Sequence, residues 1–534
     1  MEPAKPAPSA FPGAGLAKRI AAYPGRSFAA FLALHAAVWT VLPSLIYLNL
    51  PLDLIEALLY GREWQLGYDK LPPLPWWLVQ IVDQLVGHDF AYYLLAELAV
   101  CAAFALVYAA ARPLVGAAGA LVSVLIVDGL HYFNYTAAKF NHDVIQLPFW
   151  ALAGLSYHRA LRRGLLADWL LLGLAMGLSL WAKYFVVVLA APLLLFALID
   201  RDARKALATP GPYIAIAVAL ITVAPHAVWL IKTDFLPLAY AEHRAVLPRG
   251  WYDHLWHPFV FGISQVFFLI PSLLIAAPLF FPRADQSPLI PAQAGIQDQN
   301  WRTGDGGPGS PLSRGRTGDG FDAFDRRIVA CLAFGPFATV LAMGIVSGRG
   351  AVPLWGYPLF LFFGLWLVLV ARRALSEPRL ARILTTWAIV FACISAAFYV
   401  NYDVLPRFDQ RYRAVFFPGG RLGHEITERY EAATGKQLAY VIGSMWDGGN
   451  AAHYSPDQPR VLVDGEPQRA PWIDLADLHA KGAVVVWTDS NPNKLPAKFD
   501  AVAAGAQVQP SFRLPYRRGP GEVTVGWAIL KAMQ

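Results

Sequence analysis

The stretch 28-FAAFLALHAAVWTVLPSLIYLNL-50, followed at once by 52-LDLIEALLYGREWQLGYDKLPPLPWW-77, indicates how the whole chain is built. Its first part has the roughly 20 apolar residues that a helix needs to cross a bilayer. Its second part places Asp53, Glu56 and Lys70 directly after that helix and then returns to apolar sequence. Because charged side chains next to a membrane are costly to bury, this grouping favours a functional site at the membrane surface.

The composition of the whole chain is that of a membrane protein. Of its 534 residues, 56% are hydrophobic and 15% are charged, whereas about a quarter of the residues in a soluble domain are charged. More apolar runs follow the first, and they predict a polytopic α-helical membrane protein with about eleven transmembrane helices. The predicted helices lie near residues 28–49, 91–111, 116–133, 143–160, 166–182, 184–200, 212–231, 259–281, 327–347, 352–371 and 381–400.

Basic residues predict the orientation of the chain. Lys18, Arg19 and Arg26 precede the first helix, and cytoplasmic loops are rich in lysine and arginine, so we expect a cytoplasmic N-terminus. We assign the net charge of +7 to such loops and expect no nucleic-acid partner. Alternation of the helices then gives the segments on the outer face. They are 50–90, 134–142, 232–258, 348–351 and all residues after about 400.

Two segments differ in composition from the apolar helices. Residues 284–322 are rich in Gly, Pro, Ser and Arg, which predicts a disordered cytoplasmic insertion without a catalytic role. From about residue 401, the apolar runs shorten to strand length and alternate with helix-like stretches. We therefore predict a transmembrane domain over 1–400 and a small α/β domain outside the membrane over 401–534.

The predicted elements of the second domain follow from its short apolar runs. Four strands are expected at 438–443, 460–464, 483–487 and 525–530, and two helices at 423–435 and 473–482. The stretch 445-MWDGGNAAHY-454 follows the first strand, and we interpret it as a loop because of its paired glycines. It does not match a dinucleotide-binding glycine pattern.

Ionisable residues from four separate outer segments form the candidate site. An outer loop is often polar without a function, and that is our interpretation of Glu63 and Asp253. His35 and His226 lie inside predicted helices and are interpreted as packing residues. The coincidence of four loops at one face favours a site there, since a transport path would place such residues in mid-helix. The candidates are Asp53, Glu56, Asp69, Lys70, Lys139, His142, Asp143, Lys183, Tyr184, His243 and Arg244.

Four short motifs carry a resemblance to a known family. They are the acid after the first helix (Asp53), 67-GYDKLPPLPWW-77, 141-NHD-143 and 181-WAKY-184. Together they resemble the membrane-embedded GT-C glycosyltransferases. The similarity is greatest to the bacterial branch of the protein O-mannosyltransferase and aminoarabinose lipid A transferase superfamily, which is of the glycosyltransferase family 39 type. The resemblance extends to individual motifs over about residues 28–260. In the rest of the chain, it is limited to the general layout of the helices and the C-terminal domain.

The resemblance implies a reaction and a location. Such an enzyme moves a sugar, with inversion, from a polyprenyl-phosphate donor to an envelope acceptor. The acceptor can be lipid A, another glycan or a protein, and transfer takes place at the periplasmic face of the bacterial inner membrane. The domain at 401–534 would then be periplasmic.

The resemblance also implies roles for the candidate residues. Asp53 would be the general base that deprotonates the acceptor hydroxyl. The family often has two adjacent acids after the first helix, whereas here the next carboxylate is Glu56, so the division of roles between the two is left open. Lys70, Lys183, Tyr184 and Arg244 would bind the donor and its phosphate. Asp69, Lys139, His142, Asp143 and His243 would position the substrates.

Cofactor use and other functions remain as alternatives. No cofactor is predicted, and a divalent metal ion held by Asp69 and His243 is the alternative to a metal-free site, although no tight ligand spacing supports it. A lipid or sugar transporter is a second functional hypothesis, and it predicts inverted repeats and broken helices. A non-catalytic membrane scaffold is a third.

Overall fold

The computed structural model describes residues 14–238, 247–281, 323–371, 375–409 and 411–533. The predicted insertion at 284–322 and the candidates His243 and Arg244 lie outside the described residues. The helices are α1 (Ala14–Ala22), α2 (Pro24–Ile46), α3 (Leu52–Gly61), α4 (Leu74–Val86), α5 (Asp89–Asp128), α6 (His142–Arg163), α7 (Leu166–Ala182), α8 (Val187–Ile199), α9 (Gly211–Lys232), α10 (Asp253–Ala276), α11 (Ala323–Ser347), α12 (Phe363–Ala371), α13 (Glu377–Tyr399), α14 (Gly419–Thr434), α15 (Met445–Tyr454) and α16 (Leu475–Lys481).

Long apolar helices make the chain a polytopic helical membrane protein, as predicted. Among the described residues, six helices are long and apolar enough to cross a membrane, namely α2, α5, α9, α10, α11 and α13. Two shorter apolar segments, Leu166–Ala182 and Tyr184–Ile199, accompany them. The number of about eleven spanning helices stays a prediction.

Helix α5 joins two helices that the sequence predicts separately. It runs for 40 residues and contains Pro113 and, three residues later, Gly116 with φ of 71°. Proline removes one backbone hydrogen bond of a helix, and glycine accepts a positive φ without strain, so the chain kinks there. The predicted segments 91–111 and 116–133 are therefore the two arms of one kinked element.

A short helical hairpin follows α2 and carries the first candidate residues. Helix α3 begins after Pro51 and has Asp53 in its first turn, and most of its remaining residues are buried. Helix α4 begins after Pro73 and ends at Gly87, which has φ of 60°. The two helices pack so closely that a Cβ atom on Gly61 would lie 2.6 Å from the Trp76 carbonyl oxygen. This contact fixes the position of α3 on α4.

The C-terminal part of the chain forms one mixed sheet. Its strands are β1 (Tyr440–Gly443), β2 (Arg460–Val463), β3 (Ala483–Trp487), β4 (Gln507–Val508), β5 (Phe512–Pro515) and β6 (Glu522–Leu530). The order is β2-β1-β3-β6-β4, and β5 also pairs with β6. Strand β1 is parallel to β2 and β3, whereas β6 is antiparallel to its neighbours. The four predicted strands are present, and the domain division at residue 400 stays a prediction.

The predicted loop at 445–454 is wrong, because this stretch forms α15. The Ser444 hydroxyl accepts a hydrogen bond from the Asp447 amide and caps the helix. The glycines serve close packing instead of a turn, since a Cβ atom on Gly449 would lie 2.7 Å from Ile55 of α3. Helix α15 therefore rests directly on the helix that carries Asp53.

Ion pairs and backbone hydrogen bonds reinforce this contact between the sheet region and the hairpin. Arg460 at the start of β2 forms an ion pair of 2.6 Å with Glu63, which follows α3. The amides of Leu48 and Asn49 both donate to the carbonyl oxygen of Val415, at 3.0 and 2.9 Å. The link between α2 and α3 is thus held by a residue that lies more than 360 positions later.

Three ionisable residues meet inside the helical bundle. His35 on α2 lies 3.1 Å from a carboxylate oxygen of Glu97 and 2.9 Å from one of Asp128, and all three side chains are buried. Trp387 of α13 donates to the other Asp128 oxygen at 2.7 Å. His35 is therefore more than the packing residue that the sequence suggests, because it joins α2 to both arms of α5.

Candidate functional site

Asp53 is the carboxylate whose surroundings fit a base. It is half-buried in the first turn of α3. Burial, together with the negative charges of Glu56 and Asp143, raises the pKa of this carboxyl group to about 7. The positive charges of Lys70 and Lys183 oppose that shift. A carboxylate with a pKa close to neutrality can accept a proton and release it again near physiological pH.

Glu56 lies one turn after Asp53 and forms an ion pair with a lysine. Its side chain is buried, and its Oε1 atom lies 3.2 Å from the Nζ atom of Lys70. Burial raises the pKa of Glu56, and the positive charge of Lys70 opposes the shift. Among the residues that the structure describes, no cation lies as close to Asp53, so the geometry favours Asp53 as the base and Glu56 as the residue that holds Lys70.

A second ion pair joins α6 to the end of α7. The Nζ atom of Lys183 lies 2.6 Å from Asp143 Oδ1, and both residues are buried. Gln146 donates to the same oxygen at 2.6 Å, and His142 Nε2 lies 3.4 Å from the other oxygen of Asp143. Lys183 is in the extended break after α7, as the sequence predicts, and faces the ring of Trp355 at 5.8 Å.

Lys139 ends a short 3₁₀ helix that precedes α6. Its Nζ atom lies 5.4 Å from the centre of the Tyr402 ring. Burial lowers the pKa of this ammonium group, and the charge of Asp53 opposes that shift. Lys139 thus belongs to the same electrostatic cluster as Asp53.

Asp69 does not join the cluster in the way the sequence suggests. It is adjacent to Lys70 in sequence, but its Oδ2 atom binds Arg469 Nε at 2.6 Å, and Arg469 also pairs with Asp464. Both partners lie in the connection between β2 and α16. Sequence reasoning missed Arg469, because no local signal links a residue in the sheet region to a loop 400 positions earlier.

Tyr184 is next to Lys183 but its hydroxyl group has a different environment. The oxygen lies 2.9 Å from Nε2 of His226 on α9, and the other ring nitrogen of His226 lies 2.6 Å from the carbonyl oxygen of Leu66. These contacts connect α9 to the outer hairpin. A structural role therefore accounts for both Tyr184 and His226.

No metal centre is formed by the part of the chain that the structure describes. Within these residues, no three His, Cys, Asp or Glu side chains are grouped as metal ligands. Asp69, the proposed ligand, is engaged with an arginine instead.

The cluster as a whole brings a carboxylate of raised pKa and several cations to one end of the bundle. Its members come from three segments of the chain and interact electrostatically with Asp53; they are Asp53, Lys70, Lys139, Asp143 and Lys183. Lysines in such a site bind the negative charge of a phosphate and stabilise it as it develops on a leaving group. The arrangement suits the transfer of a group from a phosphate to a hydroxyl.

Comparison with known proteins finds similar glycosyltransferases. The family model for dolichyl-phosphate-mannose-protein mannosyltransferases matches residues 70–229. The lipopolysaccharide core galacturonosyltransferase RgtA of Rhizobium johnstonii is 26% identical over 511 residues, which cover 93% of this chain and 94% of that protein. RgtB of the same organism, also a lipopolysaccharide core galacturonosyltransferase, is 27% identical and covers 78% of each chain.

A solved structure shares the fold. ArnT from Cupriavidus metallidurans, solved bound to undecaprenyl phosphate, aligns with a TM-score of 0.58 at 13% sequence identity. The alignment covers 94% of this chain and 98% of ArnT. The family model, the curated relatives and the shared fold together support a membrane glycosyltransferase of the GT-C type from the superfamily of the protein O-mannosyltransferases and ArnT.

Proposed function

We propose that this enzyme transfers a sugar, with inversion, from a polyprenyl-phosphate donor to lipopolysaccharide at the periplasmic face of the inner membrane. The observation that carries the proposal is the grouping of Asp53 with Lys70 and Lys183, whose ammonium groups are held by Glu56 at 3.2 Å and by Asp143 at 2.6 Å, and in this cluster the pKa of Asp53 is raised to about 7. A base poised near neutrality and cations for a phosphate are the two requirements of this reaction.

The proposed mechanism uses the side chains of the cluster in one step. The carboxylate of Asp53 takes the proton of the acceptor hydroxyl, whose oxygen forms the new bond to the anomeric carbon. The bond from that carbon to the phosphate oxygen breaks on the opposite face, and its electron pair stays on the polyprenyl phosphate. Lys70 and Lys183 stabilise this leaving group, and configuration at the anomeric carbon is inverted.

The ion pairs have positioning roles in this mechanism. Glu56 fixes the ammonium group of Lys70, and Asp143 does the same for Lys183. His142 lies beside Asp143 and can donate to a substrate oxygen. An ammonium group has three N–H bonds, so one lysine can bind a carboxylate and an anionic ligand at the same time.

The comparisons support the choice of acceptor and suggest the first sugar to test. RgtA and RgtB are named as lipopolysaccharide core galacturonosyltransferases, and RgtD of the same organism, 28% identical over 193 residues, as a lipid A galacturonosyltransferase. We therefore propose lipopolysaccharide as the acceptor and galacturonic acid as the sugar. The bound undecaprenyl phosphate of ArnT supports a lipid-linked donor.

The location of the site follows from the predicted topology. We propose that α3, the start of α6 and the end of α7 lie at the periplasmic end of the bundle. The sheet region contacts the same end through α15 and is then periplasmic as well. This placement agrees with a domain boundary near residue 400.

An assay of transfer from labelled donors tests the proposal. Purified enzyme in detergent is given a panel of radiolabelled polyprenyl-phosphate sugars and lipopolysaccharide, and wild type is compared with Asp53→Asn and Glu56→Gln. We expect transfer by the wild type, a loss of about 10²–10⁴-fold in Asp53→Asn, and retained donor binding. Equal activity of Asp53→Asn and wild type would remove Asp53 as the base. Movement of donor across vesicles without glycosidic bond formation would instead support a transporter.

A further inference from the structure

One lysine of the cluster differs from the other two in its partners. Lys70 and Lys183 are each paired with a buried carboxylate. Lys139 has no carboxylate partner at ion-pair distance among the residues that the structure describes. Lys139 is half-buried, its Nζ atom lies 5.4 Å from the centre of the Tyr402 ring, and burial lowers its pKa. An ammonium group that has lost part of its water is costly without an anion, so this position favours a ligand that supplies one.

Lys139 lies close to the proposed reaction centre. Glu56 lies beside Lys70 and Asp143 beside Lys183, so each of these two lysines has a carboxylate partner. Lys139 ends the short 3₁₀ helix that precedes α6, and its contact is with the ring of Tyr402 after α13. Asp53 interacts electrostatically with all three lysines, so Lys139 belongs to the surroundings of the same carboxylate as the two cations that we assign to the phosphate. A donor held by Lys70 and Lys183 would therefore lie near a third cation.

We propose that Lys139 binds the carboxylate of a uronic acid sugar on the donor and selects such sugars over neutral ones. The sugar carboxylate supplies the missing anion at Nζ of Lys139, while the phosphate binds Lys70 and Lys183. The Tyr402 ring beside Nζ limits the access of water, which strengthens the ion pair. This inference rests on the proposed glycosyl transfer and adds the residue that would recognise the carboxylate of the sugar.

Two donors that differ only at C6 test the proposal. Polyprenyl-phosphate galacturonic acid carries a carboxylate where polyprenyl-phosphate galactose carries a hydroxymethyl group. We measure kcat/KM with each donor for wild type, Lys139→Met and Lys139→Arg. Lys436→Met, which changes an exposed lysine of the sheet region, is the matched control.

We expect the wild type to prefer the galacturonic acid donor and Lys139→Met to reduce that preference about tenfold or more, mainly through donor KM. Lys139→Arg should keep most of the preference, and the control should keep all of it. If Lys139→Met lowered kcat/KM equally for both donors, the proposal would be contradicted, because an equal loss would indicate a structural or phosphate-binding role for Lys139. Wild-type transfer without any preference for the carboxylate would also overturn it, yet leave glycosyl transfer established. Absence of transfer from every polyprenyl-phosphate sugar would refute the proposed function itself.

Discussion

The pKa of Asp53 makes a quantitative prediction about pH. A base must be deprotonated to act, and the pKa of this carboxyl group is raised to about 7, so activity is lost as pH falls through that value and is full well above it. The ionised fraction is then about 9% at pH 6, about 50% at pH 7 and about 91% at pH 8. We therefore expect kcat/KM to rise about tenfold between pH 6 and pH 8. A carboxylate with an ordinary pKa would give a flat profile over this range.

The assay is the initial rate of sugar transfer at low donor concentration, because kcat/KM reports the pKa values of the free enzyme. Glu56→Gln is an informative companion variant, since removal of a negative charge should shift the midpoint to lower pH. The residual activity of Asp53→Asn should lose the midpoint near pH 7. A flat wild-type profile between pH 6 and pH 8, with the protein folded throughout, would refute this view of Asp53. A midpoint that survives in Asp53→Asn would assign it to another group.

Three further substitutions test single contacts. Arg469→Met leaves Asp69 buried without its cation, and we expect donor KM to rise several-fold. Arg460→Met changes another ion pair at the same interface and should leave donor KM unchanged. Equal effects of the two variants would refute a specific role for Arg469. Tyr184→Phe removes a hydrogen-bond partner of His226, so we expect the free energy of unfolding to fall by about 1–3 kcal/mol. The transfer rate should stay within about threefold of wild type. A large loss of rate with normal stability would instead indicate that Tyr184 binds the donor. His35→Leu should lower the free energy of unfolding in detergent by about 3–5 kcal/mol, because two buried carboxylates lose their shared partner. A stability equal to wild type would refute this role of His35.

Much of the fold follows from periodicity and length alone. The predicted helix 166–182 coincides with α7, and the predicted strands coincide with β1, β2, β3 and the end of β6. The helix at 445–454 could not be predicted from periodicity, because paired glycines normally indicate a turn. There the cap at Ser444 and close packing on Ile55 outweigh the low helix propensity of glycine.

The sequence predicted which residues form the candidate site better than it predicted which of them form ion pairs with one another. Helical spacing places Asp53 and Glu56 one turn apart, and the break after α7 places Lys183 at the end of the bundle. The sequence could not predict that Lys70 pairs with Glu56 instead of its neighbour Asp69. That choice depends on an arginine brought by the sheet region, and ion pairs between distant segments leave no periodic signal in a single sequence.

The contact between the outer hairpin and the sheet region has a consequence for biosynthesis. Asp69 is made early, and its partner Arg469 is added 400 residues later, which at about 5–20 residues per second takes about 20–80 s. Strand β6, which pairs with β3, β4 and β5, comes later still. During this interval α3 lacks its packing against α15, and Asp69 lacks its ion pair with Arg469. A nascent or prematurely terminated chain is thus expected to insert its helices and yet remain inactive, so that only a finished chain consumes lipid-linked sugar.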